Sequence, residues 1–252
     1  MLCFTGTALM LETGPRKGRL LVSSHHGAYQ YDTVAVSDDG GGTWRTIAQT
    51  FPQMDESALT QLPNGSVMLN MRRSPQLHQR VRQVAAPFFL YFGCFELDLR
   101  GAYPGAGCRH LLSALNTGQW RADLTFYRPF SRLQGRGVAV SNDGGDTFGP
   151  ISFDSRLETP VCQGSIVSFG GATYFSNPAS SSGRNHLTIK RSTDNTVTWA
   201  KSLLVEAGNS AGYSCLVKGA LQGGNGKAST DGGLLYEAVG GTIKFARFPL
   251  SL

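Results

Sequence analysis

Ser37-Asp38-Asp39-Gly40-Gly41-Gly42-Thr43-Trp44 recurs 104 residues later as Ser141-Asn142-Asp143-Gly144-Gly145-Asp146-Thr147-Phe148, and 51 residues after that as Ser192-Thr193-Asp194-Asn195-Thr196-Val197-Thr198-Trp199. The first two octets read S-x-D-x-G-x-T-aromatic. The third keeps the frame but has Thr196 in place of the glycine. One octet alone is weak evidence, whereas three in one chain define a repeat. The pattern suits a hairpin turn: the Asp carboxylate can accept backbone N–H bonds across the turn, and glycine supplies positive φ. The closing aromatic is expected to pack between sheets. Each octet follows an alternating or apolar run (residues 32–36, 137–140 and 187–191), which predicts a strand leading into each turn.

The 51-residue spacing is close to the ~50 residues of one β-propeller blade. The 104-residue spacing is not, and a distinct stretch lies inside it. Residues 73–133 hold eight Arg, no Lys and three acids, a net of +5 in a chain whose total is +6. They also carry ten of its 25 aromatics. Setting these 61 residues aside leaves a spacing of 43, again about one blade. The sequence therefore predicts an all-β propeller in three parts: residues 1–72, an Arg- and aromatic-rich insertion at 73–133, and residues 134–252. The insertion is either an added subdomain or translated non-coding sequence.

Composition excludes several classes. Gly is abundant (32 of 252) and charged residues make up only 16%, against ~25% in an average domain, so a coiled coil, long-helix protein or acidic disordered chain is ruled out. The longest apolar run, residues 84–95, contains Pro87 and falls short of the ~20 residues of a membrane helix, so no transmembrane segment is expected. The first residues show no basic n-region and no small-residue cleavage site, so they are not expected to be a signal peptide. Five scattered cysteines without a CxxC pair argue against a disulfide framework and a structural zinc. His25 and His26 point to opposite sides of an extended chain and cannot chelate together, so no metal is expected. Arginines among aromatics can build a nucleic-acid surface. Residues 73–133, however, have no RNP-like motif, no regular spacing and no lysine, so no nucleic-acid partner is expected.

Four short motifs offer chemistry. Met54-Asp55-Glu56-Ser57 precedes Asn64-Gly65, a hairpin signal, and then Asn70-Met71-Arg72. A two-residue turn there pairs residues whose numbers sum to 129, which sets Arg72 opposite Ser57 and beside Glu56. Ideal alternation puts Glu56 on the other face, so a bulge must turn it. Asn64-Gly65-Ser66 also spells a glycosylation sequon, but the turn is the better reading. Phe175-Ser176-Asn177-Pro178-Ala179 marks a turn ahead of Arg184. In Ala211-Gly212-Tyr213-Ser214 the glycine frees the backbone to aim a phenol, and Leu234-Leu235-Tyr236-Glu237 reads as a strand with a charge at its end.

The octets are Asp boxes, and with these motifs the chain resembles the sialidase (neuraminidase) family over residues 5–72 and 134–249. The resemblance implies a six-bladed β-propeller, here represented by about four blades, with the boxes structural and peripheral. It implies an exo-α-sialidase that hydrolyses terminal sialic acids from glycoproteins, glycolipids or oligosaccharides with retention and without a cofactor. Compartment stays open, since lysosomal, extracellular and cytoplasmic settings all fit the family. By the same resemblance Tyr213 is the nucleophile and Glu56 its base. Arg72 and Arg184 are the second and third arginines clamping the substrate carboxylate, and Glu237 orients the first. These residue types suit the chemistry. A guanidinium fork matches a carboxylate bidentately and stays charged. A carboxylate nucleophile would be repelled by the substrate's own carboxylate, whereas a neutral tyrosine activated by glutamate is not. The family's opening Phe/Tyr-Arg-Ile/Leu-Pro strand and its acid/base Asp loop find no match, and neither Asp32 nor Asp55 fits that loop. Little or no turnover is therefore expected of the chain as written. The alternative is a non-catalytic Asp-box propeller that binds glycans or protein segments, a class with no need to bring a tyrosine and a glutamate together under two arginines.

Overall fold

The computed structural model describes residues 3–4, 8–27, 30–73, 135–209, 212–219 and 231–252. All of them fall in one compact unit, Met1–Leu77 with Phe130–Leu252. The second unit, His78–Pro129, lies outside the described residues, as does all of the expected insertion except Arg73.

Four antiparallel sheets succeed one another along the chain. In the first, β3 (Leu20–His26) pairs with β4 (Tyr31–Ser37), and both outer strands are broken in two: β1 (Cys3–Phe4) and β2 (Leu9–Met10) line β3, while β5 (Arg45–Thr46) and β6 (Phe51–Pro52) line β4. The second sheet runs β7 (Met54–Gln61), β8 (Val67–Arg73), β9 (Arg136–Ser141) and β10 (Ser152–Asp154). The third runs β11 (Ser165–Phe169), β12 (Ala172–Pro178), β13 (Asn185–Ser192) and β14 (Lys201–Asn209). The fourth has three strands, β15 (Ser214–Val217), β16 (Asp231–Ala238) and β17 (Thr242–Pro249). Among the described residues the one helical element is the 3₁₀ turn Val239–Gly241. The chain thus forms four consecutive propeller blades, the all-β fold the repeat predicted.

Three apolar cores fill the spaces between the four sheets. Val67, Leu69 and Met71 of β8 face Leu21, Val34, Val36 and Phe51 of the first blade. Their neighbour Met68 joins Val138, Ile166 and Phe175 on the other side. This is the two-residue period of a strand buried on both faces. Tyr174, Leu187 and Ile189 meet Leu216, Leu234, Tyr236 and Phe248 between the third and fourth blades. On the far face of the fourth blade, Leu235, Ile243 and Phe245 are exposed.

Each Asp box links the third and fourth strands of its blade, and all three make the same hydrogen bonds. The first-position serine (Ser37, Ser141, Ser192) donates to the Asp at 2.7–2.8 Å and accepts from the fifth-residue N–H (Gly41, Gly145, Thr196) at 2.8–2.9 Å. Asp39, Asp143 and Asp194 each accept the backbone N–H and the hydroxyl of the following threonine. At Asp143 desolvation is the largest single influence, but the hydrogen bonds together outweigh it, and they hold the Asp143 and Asp194 carboxyls down at about 2. Where the first two boxes place Gly41 and Gly145 at φ 98° and 89°, the third forces Thr196 to φ 68°. The closing aromatics differ from expectation. Phe148 is buried edge-on against Phe51 and Trp199 packs on Phe175. Trp44, by contrast, is exposed, because its indole N–H turns back to the Gly41 carbonyl instead of entering a core.

The Asn64-Gly65 hairpin also departs from the two-residue turn. Leu62 pairs with Ser66, so the loop is Pro63-Asn64-Gly65 and opposite residues sum to 128, as in Gln61 with Val67. The Asn64 side chain accepts from Ser66 N and Oγ, and Gly65 takes φ 88°. Proline at the first loop position and a left-handed glycine at the third favour this longer turn.

Strands β8 and β9, which flank residues 74–134, pair directly, Val67 with Ser141 through Met71 with Gly137. The second blade therefore closes across that stretch.

Candidate active site

The functional end of each blade is fixed by where its box is. β9 runs from Arg136 to the box serine Ser141, and β13 runs from Asn185, next to Arg184, to the box serine Ser192. At ~3.3 Å per residue this puts Arg136 about 17 Å and Arg184 about 26 Å from the serines that open their boxes. The β7–β8 turn lies at the box end, where Asn64 N donates to Asn195 of the third box at 3.1 Å. Asp55, Glu56 and Arg72, at the opposite end of that hairpin, consequently sit with Arg184.

The register of β7 on β8 shifts between Asp55 and Ala58, and Glu56 in the shift has φ 40°. This is the bulge that alternation requires. Arg72 faces Asp55 rather than Ser57, because the turn is one residue longer and the bulge moves the register again. The result is that two consecutive carboxylates meet one guanidinium: Arg72 Nη2 donates to Asp55 Oδ2 at 2.6 Å, and Nη1 lies 2.6 Å from Glu56 Oε2. All three side chains are buried. Burial works against the Arg72 cation, but Asp55 and Glu56 together outweigh it and hold the group above its ordinary pKa.

Tyr213 precedes β15 and is anchored on both sides. Gly212 adopts φ 101° against the wall, where a Cβ would lie 2.7 Å from Cys162 Sγ and 3.0 Å from Arg184 Cδ. Ser214 exchanges two 3.1 Å bonds with the Gln163 side-chain amide. Glu237 accepts from Tyr213 N at 3.1 Å and donates its own N–H to the Tyr213 carbonyl at 2.9 Å. So held, the Tyr213 hydroxyl donates to Glu56 Oε1. The Arg184 guanidinium carbon lies 5.5 Å from the Tyr213 ring centroid, and the tyrosine keeps 36% of its surface exposed. Burial first, then the Glu56 hydrogen bond and charge, raise the phenol well above its ordinary pKa, with Arg72 pulling the other way. The phenol is therefore neutral at rest, with its proton already directed at a base.

Glu56, Arg72, Arg184, Tyr213 and Glu237 thus form one contact cluster, although Glu237 touches the Tyr213 backbone. Sequence reasoning missed three residues behind it. Asp55 was noted only as a nearby acid, yet it is the second carboxylate on Arg72. Asp32 is fully buried on β4 beside Ser57. Burial above all, with Asp55 adding to it against the opposing effects of Ser57, Arg136 and Arg72, raises its carboxyl to about 8. Arg136 is also fully buried, and burial followed by the charge of Arg72 lowers it to about 10, so it remains a cation at neutral pH. A signal existed for Arg136: it is a charge opening the otherwise apolar run Gly137-Val138-Ala139-Val140. Elsewhere, the His26 ring stacks on Tyr31 with centroids 4.9 Å apart. Among the described residues no three His, Cys, Asp or Glu side chains are grouped to hold a metal ion, and no helix is long and apolar enough to cross a membrane.

A neutral phenol hydrogen-bonded to a carboxylate, next to two guanidiniums and open to solvent, can attack an electrophilic carbon while passing its proton to the carboxylate, next to a bound anion. No family model matches the chain. It is 30% identical over 263 aligned residues to a sialidase of Micromonospora viridifaciens, covering 98% of this chain and 30% of that protein. Among solved structures, the Hadza microbial sialidase Hz136 superposes with a TM-score of 0.63 at 23% identity, over 99% of this chain and 38% of its own. A leech intramolecular trans-sialidase, complexed with 2,7-anhydro-Neu5Ac, gives 0.64 at 17% identity, over 100% of this chain and 32% of its own. The two structures share the fold, and the chain spans about a third of the length of these relatives.

Proposed function

We propose that this chain, which belongs to the sialidase family, acts on terminal sialic acids of glycoproteins, glycolipids or oligosaccharides through Tyr213 as nucleophile and Glu56 as its base. The observation that carries the reading is the Tyr213–Glu56 hydrogen bond beside Arg72 and Arg184. A propeller that only binds glycans or protein segments gains nothing from that pair. In the first step the Tyr213 oxygen bonds to the anomeric carbon, the phenolic proton passes to Glu56, and the glycosidic bond breaks with its electron pair leaving on the aglycone oxygen. Water then attacks the same carbon, Tyr213 departs and recovers its proton from Glu56, and the water proton is released. Two inversions give net retention. Arg72 and Arg184 hold the substrate carboxylate, and Glu237 fixes the Tyr213 backbone.

The aglycone oxygen needs a proton, and among the described residues around Tyr213 none supplies it. Asp32 carries one at neutral pH but is fully buried, and Asp55 is held on Arg72. Absence of a general acid slows a glycosidase by ~10²–10⁴, so residues 1–252 alone are expected to turn over alkyl sialosides very slowly. Aryl sialosides, whose leaving groups depart as stable anions, should suffer less. The test is release of a fluorogenic aryl aglycone from an α-sialoside by the purified chain, alongside Tyr213→Phe. Slow release that disappears in Tyr213→Phe, with the α-anomer as first product by NMR, is the expected result. Equal release by both proteins would remove Tyr213 from the mechanism. Fast turnover of alkyl sialosides would show that an acid/base residue is present after all.

A further inference from the structure

Arg136 has no surface exposed to solvent, and the three hydrogen bonds of its side chain go to uncharged oxygens on three separate segments. Nε donates to Asn70 Oδ1 on β8 at 2.7 Å, Nη1 to the Cys162 carbonyl ahead of β11 at 2.7 Å, and Nη2 to the Glu56 carbonyl in the β7 bulge at 3.3 Å. Its guanidinium carbon lies 5.8 Å from the Phe175 ring centroid. Burying a guanidinium is costly, and an apolar side chain of similar volume commonly does as well or better for stability. The contacts point to a different use. Glu56 sits at φ 40°, and the bond from Arg136 braces the backbone of that strained residue. Cys162, whose carbonyl Arg136 also holds, presents its sulfur directly against Gly212, the residue before Tyr213. One side chain therefore touches the supports of both members of the Tyr213–Glu56 pair.

We infer that Arg136 is a positioning residue: it sets the separation of the Tyr213 hydroxyl and the Glu56 carboxylate by bracing the Glu56 bulge and the Cys162 wall together. The inference rests on the nucleophile reading above. Arg136 does not touch the substrate, so its loss should slow covalent chemistry and leave substrate binding nearly unchanged. Misplacing a reacting group by ~1 Å is worth on the order of 10²-fold in rate.

The test uses the full chain with a 2,3-difluorinated sialic acid as the probe. In this reaction the Tyr213 oxygen bonds to the anomeric carbon, the C–F bond breaks to release fluoride, and the phenolic proton passes to Glu56. Fluoride leaves unaided, so no general acid is needed, and intact-mass and peptide analysis read the label on Tyr213. Arg136→Met removes the cation at similar length, and Arg136→Lys keeps the charge without the fork. The expected result is a labelling rate at saturation that falls ~10–100-fold for Met and by less for Lys, with the half-saturating probe concentration within about twofold of the native chain and near-UV circular dichroism unchanged. A native-like labelling rate in folded Arg136→Met would overturn the role of Arg136 while leaving Tyr213 as nucleophile. If both variants lose the near-UV signal along with labelling, Arg136 is a folding residue and the inference fails. If the native chain takes no label, the nucleophile reading fails and the inference falls with it.

Discussion

Replacing residues 74–134 by a four-residue turn containing Asn-Gly, between Arg73 and Gly135, tests how the second blade is built. In the structure β8 and β9 are direct partners, with Met71 opposite Gly137, so the two ends to be joined already lie on adjacent strands. We propose that residues 74–134 add nothing to the propeller. On that premise their effect on stability is the entropy of closing a 61-residue loop where a short turn would do. Closure entropy grows by ~0.6 kcal/mol per doubling of length, and shortening 61 residues to four is about four doublings, so the deletion should stabilise by about 2 kcal/mol. For a chain of this size that raises Tm by roughly 5–10 °C. Gly135 must stay, because a Cβ there would fall 1.8 Å from the Asp154 carbonyl oxygen. Thermal unfolding followed by far-UV circular dichroism, comparing the whole chain with the deletion, is the assay. A deletion that unfolds earlier, or loses its cooperative transition, would refute the reasoning and make the stretch part of the folded unit.

Three further outcomes follow from the described blades. Thr196→Gly should stabilise by ~0.5–1 kcal/mol in urea titration, since relief of a left-handed L-residue (~1–2 kcal/mol) exceeds the added freedom of glycine in the unfolded chain. Gly41→Ala should show the reverse: at φ 98° its new methyl group would meet nothing closer than 3.6 Å, so backbone strain alone acts. A destabilised Thr196→Gly would mean the threonine side chain matters more than its strain. Asp32→Asn should alter the pH dependence of stability. The native carboxyl, raised to about 8, binds a proton that the unfolded chain has lost above about pH 4, so Asp32 makes stability fall as pH rises from about 4 to 8. The amide removes that slope, and the Tm advantage of Asp32→Asn over the native chain should grow from pH 5 to pH 8. A constant difference would show that Asp32 ionises normally in the folded chain.

Much of the fold is local information. Each Asp box is a self-contained turn whose serine, aspartate and threonine bond to one another within seven residues, so the octet is legible wherever it falls. Its spacing counts blades because each blade is one meander. The strands leading into the boxes, now β4, β9 and β13, were readable for the same reason. Turn detail was less so. Pro63 and Gly65 together chose a three-residue loop over the two-residue Asn-Gly turn, and Trp44 chose a backbone acceptor over a core, both outcomes settled by small differences among local alternatives. In the site, the sequence named Tyr213 and Glu56, which are 157 positions apart, from the motifs around each and not from any link between them. What joined them was the stacking of blades on three shared cores, which no single segment specifies. Asp32, Asp55 and Arg136 show the limit most clearly. Asp32 and Asp55 are ordinary charges in sequence, and Arg136 stands out only as a charge at the head of an apolar run. Asp32 is shifted, Asp55 is set on Arg72 and Arg136 is made a brace only because sheets from different parts of the chain remove their water and set their neighbours. Local bonding determined the repeat and the turns, and long-range burial decided which charges the site would use.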